Sequence, residues 1–153
     1  HEALRNLQDY LRGFIFPNGF HVNGDQSGTG LSDAHYHPFT LEGNFLAMQA
    51  VQEMLLQSWG GTVRVFPATP GAWGDVSFDR LRAEGGFLVS ARRHAGKTTS
   101  VSVRASVDGL LRLKNPFAAK DQIRWSRALP KAAIIELRLK SGETLEGRAE
   151  DLR

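Results

Sequence analysis

At 153 residues, 41% of them hydrophobic and 23% charged, the chain can bury one ordinary core and part of a second, and wholesale disorder is excluded. No apolar run approaches the roughly 18 residues that a membrane-spanning helix needs. The lack of cysteine excludes disulfides, cysteine-bound zinc and a thiol nucleophile. The net charge of +3 is a mild excess and its basic residues are dispersed, so we predict neither a nucleic-acid nor a membrane partner.

The first sixty residues have helical spacing. Apolar residues at steps of three and four predict a short amphipathic helix, which Pro17-Asn18-Gly19 ends. The residues of its apolar face are Leu4, Leu7, Leu11 and Phe14. A second helix is predicted from about Leu41 to Ser58, and its apolar girth is broad enough for packing on more than one side. Two helices cannot provide that packing, so we expect an uncovered apolar surface that favours self-association.

Between the helices, residues 18–38 are rich in Gly, Asn, Asp and Ser and predict a long ordered loop, which is often functional when it occurs in a compact domain. Asp33-x-His35-x-His37 has the alternate spacing that could direct three metal ligands to one side of an extended segment. No fourth ligand is close in sequence. Substrate hydrogen bonding by His35 or His37 is therefore favoured over metal binding, and no metal or cofactor is predicted.

After Gly61 the pattern changes to the period-two alternation of strands. The predicted strands are residues 62–66, 87–92, 99–104, 110–113, 134–139 and 144–148. Asp108-Gly109 and Ser141-Gly142 have the composition of hairpin turns. Arginine at outward positions indicates an antiparallel sheet with one solvated face, although nucleic-acid binding by these arginines is a weaker alternative. The predicted fold class is α+β, with a helical segment over 1–60 and an antiparallel β-sandwich over 61–153.

Glu42 is the residue with the clearest chemical potential. It lies in the first turn of the second predicted helix, where the positive end of the helix dipole attracts a carboxylate. Asn44 follows two residues later and offers both a donor and an acceptor. Such a pair could hold and polarise a water molecule for attack on a sugar carbon. The alternative, that Glu42 only caps the helix, remains open on these residues alone.

Several ordered motifs resemble one family of carbohydrate enzymes. The run 37–45, continued by 53–58, resembles the closing part of the catalytic domain in glycoside hydrolase family 95. Arg64–Pro70 and Leu81–Phe87 resemble that family's passage into its C-terminal β-domain. The resemblance covers residues from about 15 to 115.

The resemblance implies an inverting hydrolase of α-L-fucosides or related α-L-galactosides, with an (α/α)6 barrel followed by a β-sandwich. In the family an upstream Glu is the general acid, and a late-barrel Asp works with an Asn to activate water. By motif position that acidic residue is Glu42, whereas family members commonly have Gln-Ile-Asp-Gly-Asn at Thr40–Asn44. The upstream acid has no counterpart here, so residues 1–60 are expected to be the C-terminal end of a barrel that is inactive alone.

The expected site is thus catalytic Glu42 with His35, His37 and Asn44 as substrate-binding residues. Expected partners are a carbohydrate substrate and either the remainder of the catalytic domain or a second copy bound through the exposed helix. The alternative function is a stand-alone carbohydrate-binding or structural β-sandwich module. Residence outside the cytoplasm, secreted or periplasmic, is implied only by the family, and the sequence itself leaves the compartment open.

Overall fold

The computed structural model describes residues 2–119 and 121–150, which form two compact units divided between Glu53 and Met54. Within these residues, no helix combines the length and apolar character needed to cross a membrane.

The first unit contains both helices, α1 (Glu2–Phe14) and α2 (Leu41–Leu55, whose last residues belong to the second unit). Both predicted helices are confirmed. Helix α2 ends three residues earlier than predicted because Leu56–Gln57 pair as a short strand. The loop between the helices is tied by two isolated bridges, Ile15 to His21 and Val22 to Phe39.

Among its described residues, the second unit has nine strands. They are β1 (Leu56–Gln57), β2 (Arg64–Val65), β3 (Val76–Ala83), β4 (Phe87–His94), β5 (Lys97–Ala105), β6 (Gly109–Lys114), β7 (Ile123–Trp125), β8 (Ile134–Leu139) and β9 (Thr144–Ala149). Five form an antiparallel sheet in the order β3-β4-β5-β9-β7. The pairs β6-β8 and β1-β2 lie outside that sheet, and a parallel bridge joins Val63 to Leu113 of β6.

A single apolar core joins the two layers of the second unit. Fully buried side chains of the five-stranded sheet cluster with fully buried side chains of β6 and β8. The largest are Val89, Val103 and Leu145 from the first layer and Leu111, Leu113, Ile135 and Leu139 from the second. Each such side chain contributes about 1.5–3 kcal/mol relative to an exposed one. The predicted class, helices followed by an antiparallel β-sandwich, is confirmed.

Strand β3 was absent from the sequence prediction because a β-bulge interrupts its alternation. Phe78 pairs with Ala91 and Leu81 pairs with Val89, so Asp79 and Arg80 together oppose Ser90. The inward apolar residues are therefore three positions apart at this point, which breaks the period of two. Arg80 has a φ of 52°, an uncommon conformation for a residue other than glycine.

Candidate functional site

The long loop of the first unit is organised around the buried carboxylate of Asp25, whose residue is 3% exposed. Its Oδ1 accepts hydrogen bonds from the Ser27 hydroxyl (2.5 Å) and amide (2.8 Å), and its Oδ2 accepts one from the Leu31 amide (2.9 Å). The Ser27 hydroxyl, followed by the backbone amides, lowers the pKa of Asp25 despite the opposing effect of burial. The loop is thus held by a charged group at its centre.

The two predicted substrate-binding histidines lie on this loop and are exposed. His35 Nδ1 lies 3.0 Å from the backbone oxygen of Asp25, so the ring is tied to the loop. The ring of His37 lies edge-on to Phe16, with the ring centres 5.7 Å apart. Asp33 is also exposed, and nowhere in the described ranges do three or more His, Asp or Glu side chains gather as metal ligands.

Asn44 holds the turn that follows α1. Its Oδ1 accepts a hydrogen bond from the His21 amide (2.8 Å), and its Nδ2 donates to the Gly19 carbonyl (2.8 Å). Both ends of the amide therefore bind backbone groups more than twenty residues away. An amide can make four hydrogen bonds, so one donor and one acceptor site of Asn44 are left for a ligand.

Gly43 provides the space for an aromatic stack against α2. A Cβ atom at Gly43 would overlap the His21 imidazole. The rings of Tyr10 and Phe14 from α1 stack on that imidazole, with ring centres 5.5 and 6.3 Å from its own. Any larger residue at this position of the helix therefore requires the His21 ring to shift.

The His21 ring is also bound through its edge. Its Nε2 lies 3.1 Å from Asn23 Oδ1, which also accepts a hydrogen bond from the Thr40 hydroxyl (3.1 Å). Because a carbonyl oxygen only accepts, Nε2 is the donor in this contact. The Nδ1 atom of the ring is buried and has no hydrogen-bond partner within the described chain.

Glu42 differs from its neighbours in the motif. Thr40, Gly43 and Asn44 each make a defined contact with the 19–23 segment, whereas the Glu42 side chain is exposed and makes no hydrogen bond or ion pair with any described residue. Helix α2 therefore presents Glu42 in its first turn as an unengaged carboxylate, which can accept a proton or orient a water molecule.

Of the four predicted site residues, those that make contacts each have separate partners. Across residues 2–119 and 121–150, no hydrogen bond or ring contact joins any two of His35, His37, Glu42 and Asn44. Sequence reasoning did not identify His21 and Asn23, which organise this region. The available signal was Gly43, because glycine is unfavourable inside a helix and often marks a close approach.

Helix α2 also exposes an apolar surface. Phe45, Leu46 and Met48 are 61%, 71% and 60% exposed, and Leu41 adds to the same surface at the start of the helix. Contiguous apolar surfaces of this kind mark interaction sites or promote association.

The comparison with protein families assigns the β-rich part of the chain. The family described as glycoside hydrolase family 95, C-terminal domain, matches residues 57–146, from β1 into β9 and more than half of the chain. No curated protein matches the chain. The match follows directly on the helix that carries the Thr40–Asn44 motif. The chain therefore belongs to the C-terminal domain family of glycoside hydrolase family 95 and is part of a glycoside hydrolase.

Proposed function

We propose that this chain is the C-terminal portion of an inverting glycoside hydrolase that acts on α-L-fucosides or related α-L-galactosides. In this proposal residues 1–60 complete a helical barrel and residues 61–153 are the following β-sandwich. Glu42 is the late-barrel acidic residue that activates water, and Asn44, His35 and His37 lie at the substrate. The observation that carries the proposal is the unengaged Glu42 carboxylate, which lies between Thr40 and Asn44, two residues that hydrogen-bond to the 19–23 segment.

The proposal requires a second carboxyl group. Inverting glycosidases hold two carboxyl groups roughly 6.5–9.5 Å apart, one as general acid and one as base. The exposed Phe45, Leu46 and Met48 surface supports a covering partner, and the remainder of the catalytic domain is the partner we favour. A second copy bound through α2 is the alternative occupant of that surface.

The substitution of Glu for the family's Asp gives the proposal a specific consequence. The longer side chain moves the carboxylate by roughly one C–C bond length, about 1.5 Å. We therefore expect the water or the sugar to sit differently from its position in Asp-containing members, and Glu42→Asp to change the preference between fucosides and galactosides.

The chain alone should not turn over aryl α-L-fucosides or aryl α-L-galactosides, because the general acid is lacking. Robust turnover by the 153-residue chain would contradict this. In the full-length protein that contains this chain, Glu42→Gln should lower kcat by about 10²–10⁴-fold with little change in KM. Since no described residue binds the Glu42 side chain, the thermal stability of the Glu42→Gln variant should equal that of the wild type.

Glu84→Gln is the matched control, because Glu84 is an exposed carboxylate in the turn between β3 and β4. It should leave kcat unchanged. Equal kcat for wild type and Glu42→Gln would reject the catalytic role. Saturable binding of neutral oligosaccharides that survives deletion of residues 1–60 would instead support the stand-alone binding module.

A further inference from the structure

The outer face of the five-stranded sheet carries a groove of about 310 Å³ that the proposed hydrolysis does not use. Side chains at alternate strand positions share a face, so two neighbouring rows meet in it. In one row Ser90 pairs with Ser102 and Ser102 with Glu146. In the next row Ser100 lies between two arginines, Arg92 on β4 and Arg148 on β9.

The floor of the groove is lined with hydroxyl groups. Ser90 is engaged, since its Oγ donates to Asp79 Oδ1 (2.7 Å) and accepts from the Arg80 amide (3.0 Å). The bulge of β3 thereby places the Asp79 carboxylate at one wall. The side chains of Ser77, Ser100 and Ser102 make no hydrogen bond with the described part of the chain, and each can donate and accept one from a ligand.

The second row carries three arginines and no acidic residue. Arg148 lies opposite Arg124 of β7 on one side, and Ser100 separates it from Arg92 on the other. Like charges directly opposite each other on neighbouring strands are destabilising. Arg124 Nε is 3.0 Å from Oε1 of Glu150, which offsets its charge. Arg148, in the middle, has no ion pair or side-chain hydrogen bond with any described residue.

A second groove of about 280 Å³ meets the first at Arg148 and Glu146. Arg124, Trp125 and Ser126 complete its lining. The two grooves together extend from β3 to β7 across the sheet. A ligand that follows them is longer than one small molecule and passes over the unpaired guanidinium at the junction.

We propose that this sheet face binds an anionic saccharide, a chain of sugars that carries carboxylate or sulfate groups. Guanidinium groups bind such oxyanions through paired, charge-assisted hydrogen bonds, and an anion here offsets the repulsion among the arginines. The serine hydroxyls and the Asp79 and Glu146 carboxylates match the hydroxyl groups of sugars. Those two carboxylates disfavour the continuous phosphate backbone of a nucleic acid. The proposal does not depend on the role of Glu42.

Calorimetric titration of the full chain tests the proposal with three hexasaccharides of equal length, an oligogalacturonate, a sulfated galactan and a neutral galactan. At physiological salt we expect saturable binding of at least one anionic oligosaccharide, about tenfold or more tighter than that of the neutral one. Whichever anionic oligosaccharide binds more tightly shows whether the site prefers carboxylate or sulfate groups. Arg148→Gln should weaken that binding about tenfold or more. The fold should remain intact, because the substitution removes a positive charge that neighbouring arginines repel.

Arg138→Gln is the matched control, because Arg138 is an exposed arginine on β8, in a different sheet, without an ion pair to any described residue. It should bind the anionic oligosaccharide as the wild type does. Three results would overturn the proposal. They are an equal loss of affinity in Arg138→Gln, equal affinity of the wild type for the neutral galactan, and no binding of either anionic oligosaccharide at millimolar concentration. Tighter binding of a DNA duplex than of either anionic saccharide would also overturn it, in favour of a nucleic-acid surface.

Discussion

The two units of the chain differ in what they do with apolar side chains. In the second unit, sixteen buried residues form one continuous core. Among the described residues of the first unit, Val22 is the single buried apolar side chain, and nine of the thirteen large exposed apolar side chains of the described chain belong to that unit. The β-sandwich is thus stabilised by burial, whereas the first unit is organised by polar contacts and ring stacking and presents its apolar residues outward.

The largest expected effect comes from the core of the sandwich. Leu111 is 0% exposed, and Leu111→Ala should lower the free energy of unfolding by about 2–5 kcal/mol because it removes packing and leaves a cavity. Urea unfolding of the full chain, followed by circular dichroism in the β-sheet region, measures this loss.

Leu46→Ala is the corresponding change on α2. Because Leu46 is largely exposed, its loss should change the free energy of unfolding by no more than about 0.5 kcal/mol. If Leu46→Ala instead destabilised the chain as strongly as Leu111→Ala, the α2 surface would be covered in solution. Light scattering would then identify self-association as the cause, and the contrast between the units would not hold.

A glycine beneath an aromatic ring occurs in each unit and gives the next largest effect. A Cβ at Gly147 would lie 2.5 Å from Trp125 Cζ3, so Gly147→Ala should cost about 1–3 kcal/mol of unfolding free energy. Gly43→Ala forces a similar overlap with His21, but alanine regains about 1 kcal/mol of helix propensity there. We expect Gly43→Ala to act locally, through faster amide hydrogen exchange in residues 19–23.

Gly71→Ala serves as the control for both, because nothing lies within 4 Å of a Cβ at that position. Its unfolding free energy should match that of the wild type. An unfolding midpoint for Gly147→Ala that equals the Gly71→Ala value would show that Trp125 moves away without cost.

The smallest expected effect is pH-dependent and concerns the polar organisation of the first unit. The folded-state pKa of Asp25 lies below its ordinary value of about 3.9, mainly through the Ser27 hydroxyl. The stabilisation is therefore present above pH 4 and is lost as the pH falls through the lower folded-state pKa. Acid titration followed by NMR should shift the Ser27 and Leu31 amide signals in that range, and Asp25→Asn should abolish the transition.

Asp108 allows the same measurement in the second unit. The Ser141 amide, followed by Lys140, lowers the pKa of this exposed carboxyl. Acid should shift the Ser141 amide signal while the buried β6 and β8 signals remain unchanged. If the Asp25 and Asp108 contacts were both lost only at the pH of global unfolding, the two units would not differ in their source of stability.

Much of the secondary structure could be predicted because its signals are local. The three-and-four spacing around Leu7 and Leu11 predicts α1, and the alternation in residues 87–92 and 99–104 predicts β4 and β5. Strand β3 was not predicted because its bulge breaks the period of two. Strand β7 was not predicted because three residues are too few to show that period.

In the Thr40–Asn44 motif, too, local features could be predicted from the sequence and long-range contacts could not. Its residue types and spacing identified Glu42 and Asn44 as candidates. The sequence gives no sign, however, that Asn44 binds the Gly19 carbonyl or that Gly43 lies against His21. These contacts join residues more than twenty positions apart, and no local period encodes such a pairing.

The sequence by itself therefore determined the helices, most strands, the β-sandwich class and the family resemblance, because periodicity and motif order are properties of neighbouring residues. Only the tertiary structure decided which polar groups are already engaged. It left Glu42 unengaged in the first unit and placed Arg148 beside Arg124 on the sheet, because the meeting of distant segments depends on how the whole chain packs.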